Sequence, residues 1–342
     1  MESRNAGHRT AHARDGSLFG GRCGWQSLAV TPVNNPGEAE ATVSAPAVPA
    51  RPGRVRAWLL AARPATLSAA VVPVLVGSAV GATEGRFRPL PFVAALVASV
   101  LIQVGTNLAN DYFDYRKGAD TEARLGPLRV TQGGLLAPET VRAGAIVTFG
   151  LAALIGLYLV AVGGWPILVI GLLSIAAGVL YTAGPWPLGY HGLGDLLVFV
   201  FFGVLAVTGT AYLHTGAFGS GAFVASIPVG LLVTAILVVN NLRDIDTDRA
   251  AGKRTLAVRI GRHATRVQYV LFVTGAYCVP LGRWLAGAAS AWWWLPWLTL
   301  PLAARLARAV WTQEGRPLNR ALKGTGQLHL LFGALFALSL LL

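Results

Sequence analysis

Nine apolar runs of about 20 residues each follow one another between residue 58 and the carboxyl terminus of this 342-residue chain. A helix of about 20 apolar residues crosses the hydrocarbon layer of a bilayer, and a spanning helix satisfies its own backbone polar groups. The runs therefore predict an all-α membrane protein, a bundle of about nine transmembrane helices. We expect the spans at roughly 61–82, 90–112, 142–163, 166–183, 194–214, 221–242, 267–287, 291–311 and 325–342.

Composition supports a membrane location. Only 13% of the residues are charged, 54% are hydrophobic and the mean hydropathy is +0.57, whereas a soluble chain carries about 25% charged residues. The net charge of +13 raises the question of nucleic-acid binding. The basic residues lie mostly between apolar runs, however, and that placement is typical of membrane orientation. We expect the lipid bilayer as a partner and no nucleic acid.

Basic residues also predict which side of the membrane each loop faces. Loops 113–142, 241–266 and 303–324 hold seventeen Lys and Arg residues, whereas the loops on the other side hold three. Because positively charged loops stay in the cytoplasm, we expect these three loops and the amino terminus to be cytoplasmic, in a plasma (inner) membrane.

Residues 1–57 differ from the rest of the chain. They are rich in Ala, Pro, Gly and Arg, have no apolar period and contain no apolar core typical of a signal peptide. We predict a disordered cytoplasmic tail over 1–57 and a transmembrane domain over 58–342.

Acidic residues are scarce, and their positions are uneven. Eleven of the fifteen lie beyond the tail, and seven of these eleven fall in two short stretches. These seven are Asp111, Asp114, Asp120, Glu122, Asp244, Asp246 and Asp248. Both stretches lie at the predicted cytoplasmic ends of spans, the second and the sixth.

The first stretch reads NLANDYFDYRKGAD. If the second span continues as helix, Asn107, Asp111 and Asp114 stand at i, i+4 and i+7 and share one face. The second stretch reads NNLRDIDTDRAAGKR. In a continuing helix Asn241, Asp244 and Asp248 would share a face, with Asp246 pointing elsewhere.

Carboxylates that face one another repel, and a divalent cation relieves the repulsion. Oxygen ligands of this kind suit Mg²⁺, which also binds substrate phosphate oxygens. Basic residues lie beside both acid sets, Arg116 and Lys117 in one and Lys253 and Arg254 in the other. Metal and basic side chains together can hold a diphosphate. The alternative is that these acids cap helices, and these bases anchor loops, without further function.

At these residues the chain resembles the UbiA superfamily of intramembrane prenyltransferases. NDYFD at 110–114 matches its first motif, and Asp244 with Asp248 matches the second. The first motif departs at Gly118, where an aspartate is usual, and Asp120 follows instead. Within the superfamily the chain is most similar to the 1,4-dihydroxy-2-naphthoate prenyltransferases of menaquinone synthesis. The segments that carry this similarity include GPLRVTQGGLL (126–136), YTAGPWPLGYHGLGD (181–195) and NNLRDIDTD (240–248).

The resemblance implies a central cavity open to lipid, covered by cytoplasmic loops. It implies transfer of a polyprenyl group from polyprenyl diphosphate to 1,4-dihydroxy-2-naphthoate, with loss of CO₂ and diphosphate. The implied metal ligands, for Mg²⁺, are Asn110, Asp111, Asp114, Asp244 and Asp248, and the four aspartates are the catalytic set. The implied diphosphate ligands are Arg116, Lys117, Lys253 and Arg254, with Arg129 as a further candidate. Residues expected near the acceptor are Arg63, Asn107, Tyr190 and Asp195.

Two other functions remain open at this point. The same chemistry on another aromatic acceptor, 4-hydroxybenzoate or homogentisate, is one. A cation-coupled transporter is the other, since carboxylates in membrane helices also mark ion paths. Acids at helix ends beside Lys and Arg favour diphosphate binding over transport.

Overall fold

A computed structural model describes residues 52–118, 124–287 and 290–342. Twelve α-helices in these residues are joined by short loops and 3-10 turns. Their bounds are α1 Arg54–Ala62, α2 Ser68–Thr83, α3 Pro89–Arg116, α4 Pro138–Gly163, α5 Trp165–Leu180, α6 Gly194–Val198, α7 Ala206–Thr215, α8 Ser220–Arg243, α9 Ile245–Ala250, α10 Leu256–Leu285, α11 Leu300–Thr312 and α12 Leu318–Leu341. A 3-10 helix, Ala291–Thr299, leads into α11.

The all-α membrane bundle expected from the sequence is confirmed, and all nine predicted spans fall on helical segments. By length and hydropathy alone, five helical segments of the described residues qualify as spans: α3, α4, the stretch Gly194–Thr215, α8 and α12. A sixth is formed if the segments Arg54–Thr66 and Ser68–Thr83, bent by 51° relative to each other, are one span. The chain is a multi-pass integral membrane protein.

The first predicted span is not one straight helix, and its first helix begins at Arg54, inside the range assigned to the tail. The remainder of that range, up to residue 51, lies outside the described residues. The break falls at Arg63, the only non-glycine residue with a positive φ, +53°, in the part of the chain that the structure describes. Pro64, which follows, has no backbone N–H to donate and disfavours helical geometry at Arg63, so α1 ends here. The chain makes a 3-10 turn over Pro64–Thr66 before α2.

Small residues bring helices close together in the bundle interior. The span Gly194–Thr215 contains a π-helical segment, Phe199–Leu205, between α6 and α7. There Gly203 lies so close to α8 that a methyl group added to it would be 2.5 Å from the Cα of Gly230. Close backbone approach of this kind is a common use of glycine in membrane helices.

The ends of α3 and α8 that carry the acidic stretches lie at the same end of the bundle, which we call the loop end. The loop 124–137, the loop 181–193 and the amino-terminal end of α12 also meet there. Away from the loop end, α3 packs on α4, α8 on α10 and α2 on α12. The helices thus form a frame that holds several loops over the two acidic stretches.

The outer surface of the bundle is apolar. Leu154, Leu157, Leu172 and Leu271 are each more than 60% exposed, as expected where lipid rather than water covers the protein. An apolar cavity of about 230 Å³ lies between α3, α4, α5 and α7.

Gly203→Ala should destabilise the protein by about 1–3 kcal/mol, because its methyl group must displace the backbone of α8. Gly150→Ala in α4 is the control, since a methyl group there meets no atom within 4 Å and alanine favours helix by up to about 1 kcal/mol. Thermal unfolding in detergent measures both. A Gly203→Ala midpoint at or above that of the wild type would contradict the close approach.

Candidate active site

The first acidic stretch remains helical to Arg116, as expected, so Asp111 and Asp114 project from the last turns of α3. Both carboxylates are buried, at 2% and 3% exposure. One turn deeper, the Asn107 amide donates to the carbonyl of Ala62 at 2.9 Å and to Thr66 Oγ1 at 3.2 Å. Asn107 therefore links α3 to the segment 62–66, where α1 ends.

The loop that follows the first stretch folds back over α3. The backbone N–H groups of Val130 and Thr131 donate to Asp111, at 3.3 and 3.1 Å. Arg129, itself only 6% exposed, donates to Asp114 Oδ2 at 2.9 Å. The segment GPLRVTQ is therefore seated on the two aspartates, and Arg129 belongs to the site.

Asp114 also joins two other loops. The Tyr190 hydroxyl donates to Asp114 Oδ1 at 2.6 Å, and the Lys253 ammonium lies 3.5 Å from the same oxygen. The ammonium nitrogens of Lys117 and Lys253 lie 5.3 and 4.5 Å from the centre of the Tyr190 ring, both within cation–π range. Partial burial lowers the pKa of Lys117, against the opposing effect of Asp114. Side chains from both acidic stretches thus meet around Asp114 and Tyr190.

The second acidic stretch is not one continuous helix, so the prediction of a single helical face is wrong in that respect. Helix α8 ends at Arg243, Asp244 has non-helical angles (φ −98°, ψ 8°), and α9 begins at Ile245. The backbone N–H of Asp248 still donates to the carbonyl of Asp244, at 2.7 Å. Asp244 and Asp248 therefore remain about one helical turn apart, although α8 and α9 are separate helices.

Asp248 lies in the electrostatic field of the other carboxylates. Burial raises its pKa to about 6, with Asp244 and Asp114 adding to the rise and Lys253 opposing it. Within the described residues its carboxylate forms neither a hydrogen bond nor an ion pair. Burial, more than the neighbouring carboxylates, therefore disfavours the charged form of Asp248. No three Asp, Glu, His or Cys side chains of the described residues are close enough to hold a metal ion as they stand.

Residues 70–323, well over half of the chain, match the sequence profile of the UbiA prenyltransferase family. The chain belongs to this family. It is 40% identical over 291 residues to the 1,4-dihydroxy-2-naphthoate octaprenyltransferase of Escherichia coli (strain K12), covering 82% of this chain and 94% of that protein. The enzyme of the same name from Mycobacterium tuberculosis is 37% identical, over 79% and 91% of the two chains.

Solved structures of UbiA homologs share the fold. The apo homolog from Aeropyrum pernix K1 superposes with a TM-score of 0.61 at 17% identity, covering 78% of this chain and 96% of that one. The homolog from Archaeoglobus fulgidus bound to DMAPP and Mg²⁺ gives 0.60 at 16% identity, with 83% and 98% covered.

Several predicted site residues of this UbiA-family chain lie outside the group around Asp114. Arg116 is exposed and donates to the Tyr112 hydroxyl at 3.3 Å. The Arg254 side chain lines an outer cavity, although its backbone N–H donates to the Tyr190 carbonyl at 2.8 Å. Asp246 points away, as expected, and pairs with Arg262 on α10. Asp120 and Glu122 lie outside the described residues.

Asn110 and Asp195 are each held by one side chain. Asn110 Oδ1 accepts a hydrogen bond from the Thr182 hydroxyl at 2.9 Å. Asp195, buried at the start of α6, accepts from Gln268 of α10 at 2.7 Å. Its other carboxylate oxygen is buried without a hydrogen bond in the described residues.

Arg243 is a part of the site that sequence reasoning missed. It is 1% exposed, and its Nε donates to Asp244 at 2.8 Å. Its terminal nitrogens donate to Asn240 and to Asn319 of α12, and Asn319 donates to the Leu125 carbonyl at 2.8 Å. The only sequence feature that could have indicated a role for Arg243 was its position between the asparagines and aspartates of NNLRDIDTD. Nothing in the sequence pointed to Asn319, which lies more than 70 residues away.

Arg243→Gln should lower the free energy of unfolding by about 3–5 kcal/mol, because it leaves the Asp244 carboxylate buried without its partner. The matched control is Arg262→Gln, which breaks a pair whose aspartate is 67% exposed and should cost less than about 1 kcal/mol. Thermal unfolding in detergent compares them. Equal, small shifts for the two variants would contradict the structural role of Arg243.

Proposed function

We propose that this protein transfers a polyprenyl group from a polyprenyl diphosphate to 1,4-dihydroxy-2-naphthoate, in menaquinone biosynthesis. One structural observation carries the proposal: the Asp114 carboxylate and the ammonium groups of Lys117 and Lys253, which belong to the two acidic stretches, meet around Tyr190. The choice of acceptor is supported by relatives of that name, at 37–40% identity over most of both chains.

The reaction breaks the bond between the allylic carbon of the donor and its diphosphate oxygen, and the diphosphate leaves with the electron pair. The electron-rich ring carbon that bears the carboxylate attacks the allylic carbon. Loss of that carboxylate as CO₂ returns its bonding electrons to the ring and restores aromaticity. Positive groups that hold the departing oxygens lower the barrier most when they are fixed in advance. Asp114 holds Arg129 and Lys253 in that way. The Lys117 ammonium donates to the carbonyls of Thr182 at 2.7 Å and Gly184 at 3.0 Å.

The donor atoms suit Mg²⁺. The candidate ligand atoms are all oxygens, which Mg²⁺ prefers. They are the carboxylate oxygens of Asp111, Asp114, Asp244 and Asp248 and the amide oxygen of Asn110. Their present hydrogen bonds do not exhaust them, because each carboxylate oxygen has two lone pairs. Burial raises the pKa of Asp248, and a bound cation would favour its charged form. When bound, Mg²⁺ would neutralise the leaving diphosphate.

The acceptor side of the proposed site lies deeper, where α1, α2 and α3 meet. Asn107 is fixed there by Ala62 and Thr66, beside the left-handed turn at Arg63. We assign Asn107 to the ring of the acceptor and Arg63 to its carboxylate. We also assign Tyr190, on the loop 181–193, and Asp195, at the start of α6, to the acceptor side.

We also propose that the loop end faces the cytoplasm, from the seventeen-to-three distribution of basic residues. In a cysteine-free background, Arg316→Cys at the loop end and Glu84→Cys at the opposite end can be labelled with a membrane-impermeant maleimide. In intact cells we expect labelling at position 84 only. The reverse pattern would contradict the orientation.

Membranes from an expressing strain, given a labelled polyprenyl diphosphate, should form prenylated product with 1,4-dihydroxy-2-naphthoate and release one CO₂ per product. 4-Hydroxybenzoate and homogentisate, offered in parallel, should give none. Mass spectrometry of the extracted quinols identifies the product. Product with 4-hydroxybenzoate alone would overturn the proposed acceptor.

Asp111→Asn and Asp244→Asn should each lower turnover by about 100-fold or more, because each removes charge from the proposed Mg²⁺ site. Asp246→Asn is the control, since Asp246 points away from the site. Membrane insertion, measured by protease protection, should be normal for all three variants. Near-normal turnover in both Asp111→Asn and Asp244→Asn would contradict the assignment.

A further inference from the structure

A second polar feature lies outside the group around Asp114. A cavity of about 550 Å³ opens at the loop end between the loop 181–193 and the segment that follows α9. Its walls include Pro187, His191, Arg254 and Arg259, and Lys117 and Tyr190 lie on the side nearest Asp114. The volume is within the range of small-molecule sites. Its lining, as described, contains positive side chains and no carboxylate.

Two guanidinium groups in this cavity lack an acidic partner. Arg254 makes no side-chain hydrogen bond or ion pair with the described residues, and Arg259 uses only its Nε, which donates to the Arg254 carbonyl at 3.2 Å. The terminal nitrogens of both remain available in the described part of the chain. Gly192, with φ +79°, permits this approach, because a side chain there would press on Arg259 at 3.2 Å. The cavity is therefore built to attract an anion.

One wall of the cavity carries the ring of His191. The His191 ring stacks on Trp186 with centroids 4.1 Å apart and an interplanar angle of 24°. His191 Nδ1 donates to the Pro187 carbonyl at 2.8 Å, which fixes the plane of the ring. A hydrogen bond from the backbone N–H of Arg254 to the Tyr190 carbonyl links the two sides of the cavity. Flat rings beside guanidinium groups suit a planar aromatic anion.

We propose that this cavity is an outer binding site for an aromatic carboxylate, the acceptor of the proposed reaction, before it reaches the reacting centre. The proposal rests on the proposed function. The carboxylate of the acceptor would bind Arg254 and Arg259, and its ring would lie along the His191 wall. Arg254 would then serve the acceptor rather than the diphosphate.

The chemistry of the two substrates supports separate access. A polyprenyl diphosphate has a long apolar tail and partitions into the bilayer, whereas a hydroxylated naphthoate is a small anion that arrives from water. A metal–diphosphate complex needs carboxylates, which this cavity lacks and the neighbouring site has. Tyr190 stands between the two, with its hydroxyl on Asp114 and its ring shared with the cavity.

The test measures binding to the full-length protein in detergent, without donor and without Mg²⁺. The probe is 1-hydroxy-2-naphthoate, a redox-stable aromatic carboxylate, titrated by calorimetry. Arg254→Gln and Arg259→Gln should each weaken its binding about tenfold, as expected for loss of a charged hydrogen bond. Arg249→Gln, an exposed arginine of α9 that does not line the cavity, should bind as the wild type does. Thermal midpoints check that all three variants are folded.

A parallel titration with inorganic diphosphate separates the acceptor from the leaving group. If the two variants weaken diphosphate binding and leave naphthoate binding unchanged, the cavity serves the product and the proposal fails. Unchanged naphthoate affinity in both variants also overturns it. In turnover assays the KM for the acceptor should rise about tenfold, while the KM for the polyprenyl diphosphate should not. If the wild type forms no prenylated naphthoquinol, the proposed function fails, whatever the binding assays show.

Discussion

Carboxylates that leave water must be compensated by hydrogen bonds or opposite charge, and the loop end of this protein is organised by that requirement. Asp111, Asp114 and Asp244 are each 7% exposed or less, and each is compensated differently. Asp111 accepts two backbone N–H groups, Asp244 is paired with Arg243, and Asp114 receives Arg129, Tyr190 and Lys253. Arg243 is adjacent to Asp244 in sequence, but the other partners lie 15 or more residues from their carboxylates. Asp111 and Asp114 are therefore compensated only when the loop end is assembled.

The helices provide what the loops cannot, a rigid frame at fixed spacing. Helix α3 continues through Asp114, whereas the break after Arg243 lets α9 turn away from α8 while the Asp248 N–H remains bonded to the Asp244 carbonyl. Asp248, whose pKa is raised mainly by burial, lies on α9 just after this break. A cation and a diphosphate bound near these residues would meet both carboxylate oxygens and basic side chains, the combination that phosphate chemistry requires.

Family membership and residue roles rest on different grounds. The UbiA profile covers residues 70–323, and relatives near 40% identity cover most of both chains. The solved homologs, at 16–17% identity, establish the shared fold alone. The roles proposed for Asp114, Tyr190 and Arg254 come instead from their contacts in this chain. Those contacts divide the loop end into an acidic site and a cationic outer cavity, a division that matches one substrate from lipid and one from water.

The sequence by itself determined the membrane fold and the two acidic stretches. Apolar length requires spanning helices, and scarce acids at helix ends are conspicuous against an apolar background. Helical periodicity also predicted that Asp111 and Asp114 share a face and that Asp246 points elsewhere. Only the tertiary structure decided that Arg243 and Asn319 brace the second stretch, that Arg116 lies outside the site, and that Arg254 faces a separate cavity. Helical periodicity is set by neighbours in sequence, but the packing that brings Asn319 to Arg243, and Tyr190 and Lys253 to Asp114, joins distant segments, and no local pattern records it.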